Sequence, residues 1–319
     1  MDWKLAANAA FFGGRRDRFN QYQPDRDLRQ RLELMAGIEG VTGVELKYPA
    51  DFTDVDLTRA LLADSGLILS AVSVNTKDVE HFRHGALSAR DPAARRHAVR
   101  LLQEGMDLAA DLGAGIVTTC PLADGYSYPF EIDYGAAWAR FVDTVREAGS
   151  RRGDVRLCLE YQPREPYSHI LLATVGKVLH VLHEVALPNV GANLDVGHSF
   201  AAGETPAESA ALLAAAGRLF YVHTNDNTAD GGDWDMMSGA VHFWHWLELL
   251  CTLRRTGYDG WLSADIDARR TSPQAAFGSN FLLIRRLDAV IDRLGYEEIA
   301  RRLEGDADPA ETYAFPLPS

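Results

Sequence analysis

Short, nearly continuous apolar runs occur eight times along this chain, at 5–11, 43–47, 67–74, 116–119, 155–161, 190–196, 219–224 and 261–266. Runs of this kind, without polar alternation, suit parallel strands buried on both faces. Between them lie longer stretches with helical periodicity. The stretch 91–112 opens with Asp91 as an N-cap and Pro92 at the first helical position, and it closes at Gly113. The stretches 174–185, 205–217 (Thr205 as N-cap, Pro206 next) and 243–256 before Gly257 read in the same way. Eight strand–helix units in 319 residues predict a (β/α)8 barrel, an α/β fold. A doubly wound open sheet would carry a Gly-rich phosphate turn after its first strand, and Phe11-Phe12-Gly13-Gly14-Arg15 lacks that spacing. No linker rich in Pro, Gly or Ser interrupts the pattern. One domain is therefore expected over 1–307, with 308–319, which holds Pro309, Pro316 and Pro318, as an extended C-terminal arm.

In such a barrel, chemistry sits where strands end and the following loops begin. Four run ends carry polar groups: Glu160 in Leu159-Glu160-Tyr161, Asp195 in Leu194-Asp195-Val196-Gly197-His198, His223 in Val222-His223-Thr224, and Asp265 in Ala264-Asp265-Ile266. They are separated by 35, 28 and 42 residues, each about one strand–helix unit, so they converge at one mouth. Three carboxylates and an imidazole would repel or neutralise one another unless paired. A divalent cation removes that conflict, and this oxygen-rich donor set suits Mn²⁺, Mg²⁺ or Co²⁺ better than a soft thiolate site would. Asp267, two residues on and on the same face, is the other candidate for the fourth position.

The charge balance narrows the partners. Lys and Arg number 32 against 45 Asp and Glu, a net charge of −13, which repels phosphate backbones and argues against nucleic acid. No run of about 18 apolar residues is present to span a membrane. The N-terminus lacks the pattern of a signal peptide, and Cys120, Cys158 and Cys251 form no even disulfide framework. A cytoplasmic location is the default expectation. Cys120 and Cys158 read as buried apolar filler.

As a set, Glu160, Asp195, His223 and Asp265 at the ends of strands five to eight, with Leu194-Asp195-Val196-Gly197-His198 and His223-Thr224-Asn225-Asp226, resemble the xylose-isomerase-like barrels of the sugar phosphate isomerase and epimerase family. The approach to strand four, Gly113-Ala114-Gly115-Ile116-Val117, and the Gly257-Tyr258-Asp259-Gly260-Trp261 entry to strand eight are also similar to that family. The resemblance implies one divalent ion held by those four residues, with Glu160 and Asp265 doubling as proton-transfer groups. Asp265 stands where Glu is more frequent, a reach shorter by about 1.5 Å. Within the family, the run from Glu160 to Pro166, Asp265, and the Asp233-Trp234-Asp235 segment look similar to the larger subunit of bacterial C-glycoside deglycosidases. That likeness implies a lyase acting on 3-oxo-glucosides by β-elimination, with His198 or a ligand carboxylate as base. It also implies a smaller β-rich partner subunit, with a homo-oligomer as the alternative assembly. A ketose 3-epimerase or inosose isomerase would use the same metal on a free sugar. A metal-dependent apurinic endonuclease and a non-catalytic sugar-binding barrel are the remaining alternatives, the first opposed by the charge.

Supporting residues each carry two readings. His198, expected in the loop above the metal, either meets a sugar hydroxyl and shuttles a proton or orients Asp195. Gln162, Arg164 and His169 follow strand five and are candidates to hold substrate oxygens, although Arg164 can also pair with Glu165. Asn225, Asp226 and Asp235 follow strand seven as substrate contacts or as a solvated acidic loop. Lys47 ends strand two, either polarising a carbonyl or bridging a rim acid. Trp246, Leu249 and Leu250 read as core, with His242 nearer the rim. Arg15, Arg16 and Arg18 either receive an anionic substrate group or form a solvated loop, the second being the preferred reading.

Overall fold

The computed structural model describes residues 2–78, 80–165, 167–230, 232–305 and 308–313. Eight parallel strands close into a barrel: β1 Lys4–Asn8, β2 Val41–Tyr48, β3 Ile68–Val74, β4 Ile116–Thr119, β5 Arg156–Glu160, β6 Val190–Asp195, β7 Leu219–Thr224 and β8 Trp261–Ala264. Each pairs with its neighbours in sequence, and β1 closes on β8 through Leu5–Leu262 and Ala7–Ala264 registers. The expected first strand ends early, because at Asn8 the chain turns into a single 3-10 turn, Ala9–Phe12, capped by the Asn8 side chain.

The helices form where their caps allow. Asp91 accepts from the Ala93 amide and Pro92 opens α3 (Pro92–Asp111), with Gly113 following in the left-handed region. Thr174 caps α5 (Val175–Val185), and Pro206 opens α7 (Pro206–Ala215). α1 (Leu28–Ala36), α2 (Val55–Ser65), α4 (Tyr134–Gly149), α8 (Phe243–Arg255) and α9 (Pro273–Leu294) complete the outer ring. Trp246, Leu249, Leu250 and Leu253 turn one face of α8 fully into the core between ring and strands. A smaller buried cluster joins Ala71, Ile116, Cys158, Phe220 and Tyr221, with Trp261 packed against it. Cys158 is thus apolar filler, as expected.

Where an extended arm is expected from Asp308, α10 (Tyr296–Glu304) is followed by a five-residue helix, α11 (Pro309–Tyr313), and residues 314–319 lie outside the described residues. Pro309 opens that helix instead of extending the chain, a position where its missing amide costs nothing. Among the described residues, no helix is long and apolar enough to cross a membrane.

Candidate metal centre

Side chains two apart on a strand share a face, and that periodicity aims Glu45, Glu160, His223, Ser263 and Asp265 into the barrel. At its mouth, Glu160, Asp195, His223 and Asp265 each bring one donor atom within 4.8 Å of the others. His223 Nδ1 is the centre of the group, 3.3 Å from Glu160 Oε2, 3.6 Å from Asp195 Oδ2 and 3.1 Å from Asp265 Oδ2. This nitrogen is buried and has no hydrogen-bond partner, whereas the other ring nitrogen, Nε2, lies 2.8 Å from Glu45 Oε2. An orphaned imidazole nitrogen facing three carboxylates, with its far side tied to a fourth, fits a ligand of a divalent cation. Three oxygens and one nitrogen suit Mn²⁺, Mg²⁺ or Co²⁺.

Each candidate ligand has a partner behind it. Asn193 Nδ2 donates to Glu160 Oε2 (2.8 Å), Asn225 Nδ2 to Asp195 Oδ2 (2.9 Å) and Asn8 Nδ2 to Asp265 Oδ1 (3.4 Å). Glu45, fully buried, takes Thr118 Oγ1 (2.7 Å) and Ser263 Oγ (3.4 Å) besides His223. Sequence reasoning gave Glu45 and Asn193 no role. The signals were there: Glu45 sits two residues before the rim on β2, and Asn193 two before Asp195 on β6.

Asp265, and not Asp267, stands with the other three groups. Asp267 instead meets Arg15 Nε at 3.1 Å and Arg269 Nε at 2.9 Å. Arg15 therefore is no solvated loop residue, for it lines the cavity, pairs with Asp267 and lies 4.4 Å over the Phe11 ring.

The electrostatics show a cluster short of positive charge. Burial pushes the Asp265 carboxyl up to about 6, against the pull of His223, with Glu160 and Asp195 adding to the rise. Burial also raises Asp235 well above the carboxylate range, with Asp233, Asp265 and Asp195 adding to it. Burial opposes the charge on His223 and His198, yet the carboxylates around them outweigh it and hold both well above the usual imidazole value. The histidines are thus biased towards their charged forms and Asp235 and Asp265 towards their neutral ones.

His198 is not in a loop. Asp195 Oδ1 accepts from the His198 amide (2.8 Å) and so caps the short helix α6 (Val196–Ala201), which fixes the imidazole over the centre. Its Nδ1 lies 3.3 Å from Glu160 Oε1 and its Nε2 3.5 Å from Asp233 Oδ1. The cavity above has a volume of about 860 Å³, and Lys47, Lys77, Cys120, Gln162, Asp233 and Asp235 are in its wall. Burial and the nearby Lys77 hold the Lys47 ammonium below its usual value. Cys120 is not core filler, because its thiol reaches the wall at 3.8 Å from Gln162 Oε1.

Lys47, Gln162 and Asp235, expected to meet substrate, reach this cavity; Arg164, His169, Asn225 and Asp226 do not line it. Arg164 and His169 are exposed on a short turn joined by one backbone bridge. Glu165 takes its bond from Gln162 Nε2 (2.9 Å). Asn225 is buried behind Asp195 and accepts from the Gly197 amide (2.7 Å). Asp226, also buried, receives the amides of Val241 and His242 and the His242 ring (2.7 Å), which stacks on Phe200. Asn225 and Asp226 are thus satisfied by backbone amides instead of being left for ligand.

Comparison with known proteins agrees with this architecture. A xylose isomerase from Thermus thermophilus is 31% identical over 225 residues, 68% of this chain, and the chain spans 57% of that relative's length. Among solved structures, a D-tagatose 3-epimerase-like protein superposes with a TM-score of 0.71 at 16% identity, covering 91% of this chain and 98% of that one. A D-allulose 3-epimerase from Methylomonas sp., in complex with D-allulose, gives 0.67 at 18% identity over 89% and 96% of the two chains. A 3-keto-D-glucoside 4-epimerase from E. coli gives 0.67 at 14% identity over 89% and 99%. Residues 32–287 match a single family profile, and the chain belongs to the Xylose isomerase-like TIM barrel family.

Proposed function

We propose that this chain is a divalent-metal-dependent enzyme that moves a proton at the carbon beside a sugar carbonyl. The observation that carries the reading is the convergence of Glu160, Asp195, His223 and Asp265 around one orphaned imidazole nitrogen. The isomerase and epimerase relatives support the sugar. When bound, a divalent ion, Mn²⁺ by preference, polarises the carbonyl and acidifies the neighbouring C–H. The remaining work falls to side chains. Relieved of its own proton when the cation is bound, His198 takes the substrate proton; its Nδ1 lies 3.3 Å from Glu160 and its Nε2 3.5 Å from Asp233. Lys47 and Gln162 hold sugar oxygens from the wall. Asp235, kept neutral by burial beside other acids, is the rim group that gives a proton back.

The narrower reading is a carbon–carbon lyase acting on 3-oxo-C-glucosides. His198 removes the C2 proton, and that bonding pair forms an enolate with the C3 carbonyl. On its return the pair makes the C1–C2 double bond and the C1–aglycone pair leaves with the aglycone carbon, which a rim acid protonates. The products are an unsaturated 3-oxo sugar and the free aglycone, with no oxidant or reductant consumed. A smaller subunit over the mouth belongs to this reading, and the exposed rings of Tyr128, Phe130 and Tyr167 on the loops after β4 and β5 are the apolar rim it would cover. The second reading, ketose 3-epimerisation, is favoured by the folds of the tagatose and allulose enzymes. In it the proton leaves C3 and returns from the opposite face.

The test is turnover of 3-oxo-C-glucosides and free ketoses in D2O, before and after chelation. Activity should vanish with chelator and return with Mn²⁺, and His198→Asn should lower it by about 10²–10⁴-fold. Release of aglycone selects elimination, while deuterium at C3 of a recovered ketose selects epimerisation. Undiminished activity in the chelated enzyme overturns the proposal.

A further inference from the structure

Beside the metal cavity lies a second lobe of the same size, about 860 Å³, between the segment that follows β3 and the one that follows β4. The two lobes share Arg83, Leu122 and Ala123 in their walls, so they adjoin. Either volume alone is ample for a drug-sized ligand, and one sugar ring leaves the second lobe unfilled.

Its wall is built. Asp124, fully buried, accepts from the amides of Ala86 (3.0 Å), Leu87 (3.0 Å) and Ser88 (2.6 Å) and from Ser88 Oγ (2.7 Å), which folds the segment after β3 against the β4 loop. Arg140 on α4 clips that segment through Ser88 O at 2.8 Å. Among the described residues the lobe has three acids: Asp91 and Glu131 are engaged by backbone amides, at Ala93 and at Ser127 and Tyr128, and Glu80 is exposed. Among the described residues Arg83, Arg90 and Arg140 form no ion pair, so three guanidiniums line the lobe beside three carboxylates, two of which already accept backbone amides. Tyr126 adds a ring to the wall, packed edge-on against Tyr134 and tilted against His169, with centroids 5.2 and 5.3 Å away.

Guanidinium donors beside an aromatic face match a ring bearing several oxygens. We infer that the second lobe binds a polyoxygenated ring attached to the sugar at the metal, so that the substrate is a glycoside and not a free monosaccharide. The inference rests on the reading of the metal cavity as the sugar site. Two sources share this chemistry, a second sugar and a hydroxylated aryl aglycone.

Calorimetric titration of the Mn²⁺-loaded protein with D-glucose, cellobiose and 4-hydroxyphenyl β-D-glucoside separates the outcomes. At least one of the two glucosides should bind about tenfold more tightly than glucose, the value of one or two good contacts. Preference for cellobiose assigns the lobe to a sugar, and preference for the aryl glucoside assigns it to an aglycone. Tyr126→Ala and, separately, the exposed Arg90→Ala should erase most of that preference while leaving glucose and Mn²⁺ binding as they were. Glucosides that bind no better than glucose, or a preference that survives both variants, overturn the inference. Failure to bind Mn²⁺ at all sinks the metal reading instead, and the ligand comparison on the same protein still decides the lobe.

Discussion

Glu45 lies on the opposite side of the barrel from β7, yet its carboxylate reaches His223 Nε2 at 2.8 Å with almost no exposure to water. A buried carboxylate in that place fixes which imidazole nitrogen is free and raises its basicity. Glu45→Gln keeps an oxygen that can accept from Nε2, while Glu45→Ala leaves both the ring and the Thr118 hydroxyl without a partner. Mn²⁺ affinity, read by calorimetry or by electron paramagnetic resonance of the free ion, should fall in both variants. The alanine variant should lose about 10–100-fold and the glutamine variant less. Unchanged affinity in Glu45→Ala would remove Glu45 from the site. The four strand-end residues were legible because a barrel puts strand ends together whatever the sequence between them. Their partners were harder to see. Asn225 and Asp226 are adjacent and equally polar, and whether either faces the cavity depends on where the β7 loop turns, a tertiary property that no local pattern carries.

At the level of elements, strands were read to within a few residues because continuous apolar runs have one use in a closed parallel barrel. Helix starts were read from their caps, as Asp91 with Pro92 and Thr174 show. The connecting loops were not legible, since their order comes from single buried side chains such as Asp124 that are indistinguishable in sequence from solvated acids. Short α6 escaped for a related reason: its N-cap, Asp195, is also a candidate ligand, and two roles on one residue leave one sequence signal. Close packing of strands makes its own demand. A Cβ on Gly43 of β2 would stand 2.5 Å from the Trp261 ring and 2.9 Å from Ala6 Cβ, at the seam where β1 and β8 close the barrel. Gly43→Ala therefore overpacks that seam and should cost about 1–3 kcal/mol. Urea unfolding should show a lower midpoint with an unchanged slope. A midpoint equal to that of the parent would mean that the Trp261 ring can move aside freely.

For the whole molecule, the site ties β5, β6, β7 and β8 to one point, and without a cation that point gathers Glu160, Asp195 and Asp265 around a single imidazole. Like charges so placed either repel or take up protons, and both weaken the native state relative to the unfolded chain, in which they separate. A cation that binds the folded barrel and not the open chain stabilises it by mass action, by about 2.7 kcal/mol when present at 100 times its dissociation constant. For a domain of this length that corresponds to a rise in Tm of about 4 °C. Asp265→Asn removes one of the clustered charges, leaves the volume almost unchanged and keeps an oxygen to accept from Asn8 Nδ2. It should therefore raise the Tm of the chelated protein, by relieving repulsion, and abolish most of the Mn²⁺-induced rise. The two effects have opposite sign in the same variant, so a general loss of packing cannot imitate them. Scanning calorimetry of parent and variant, each with chelator and with saturating Mn²⁺, measures all four values. A parent whose Tm ignores Mn²⁺ would show that the four groups are held by one another and not by an ion.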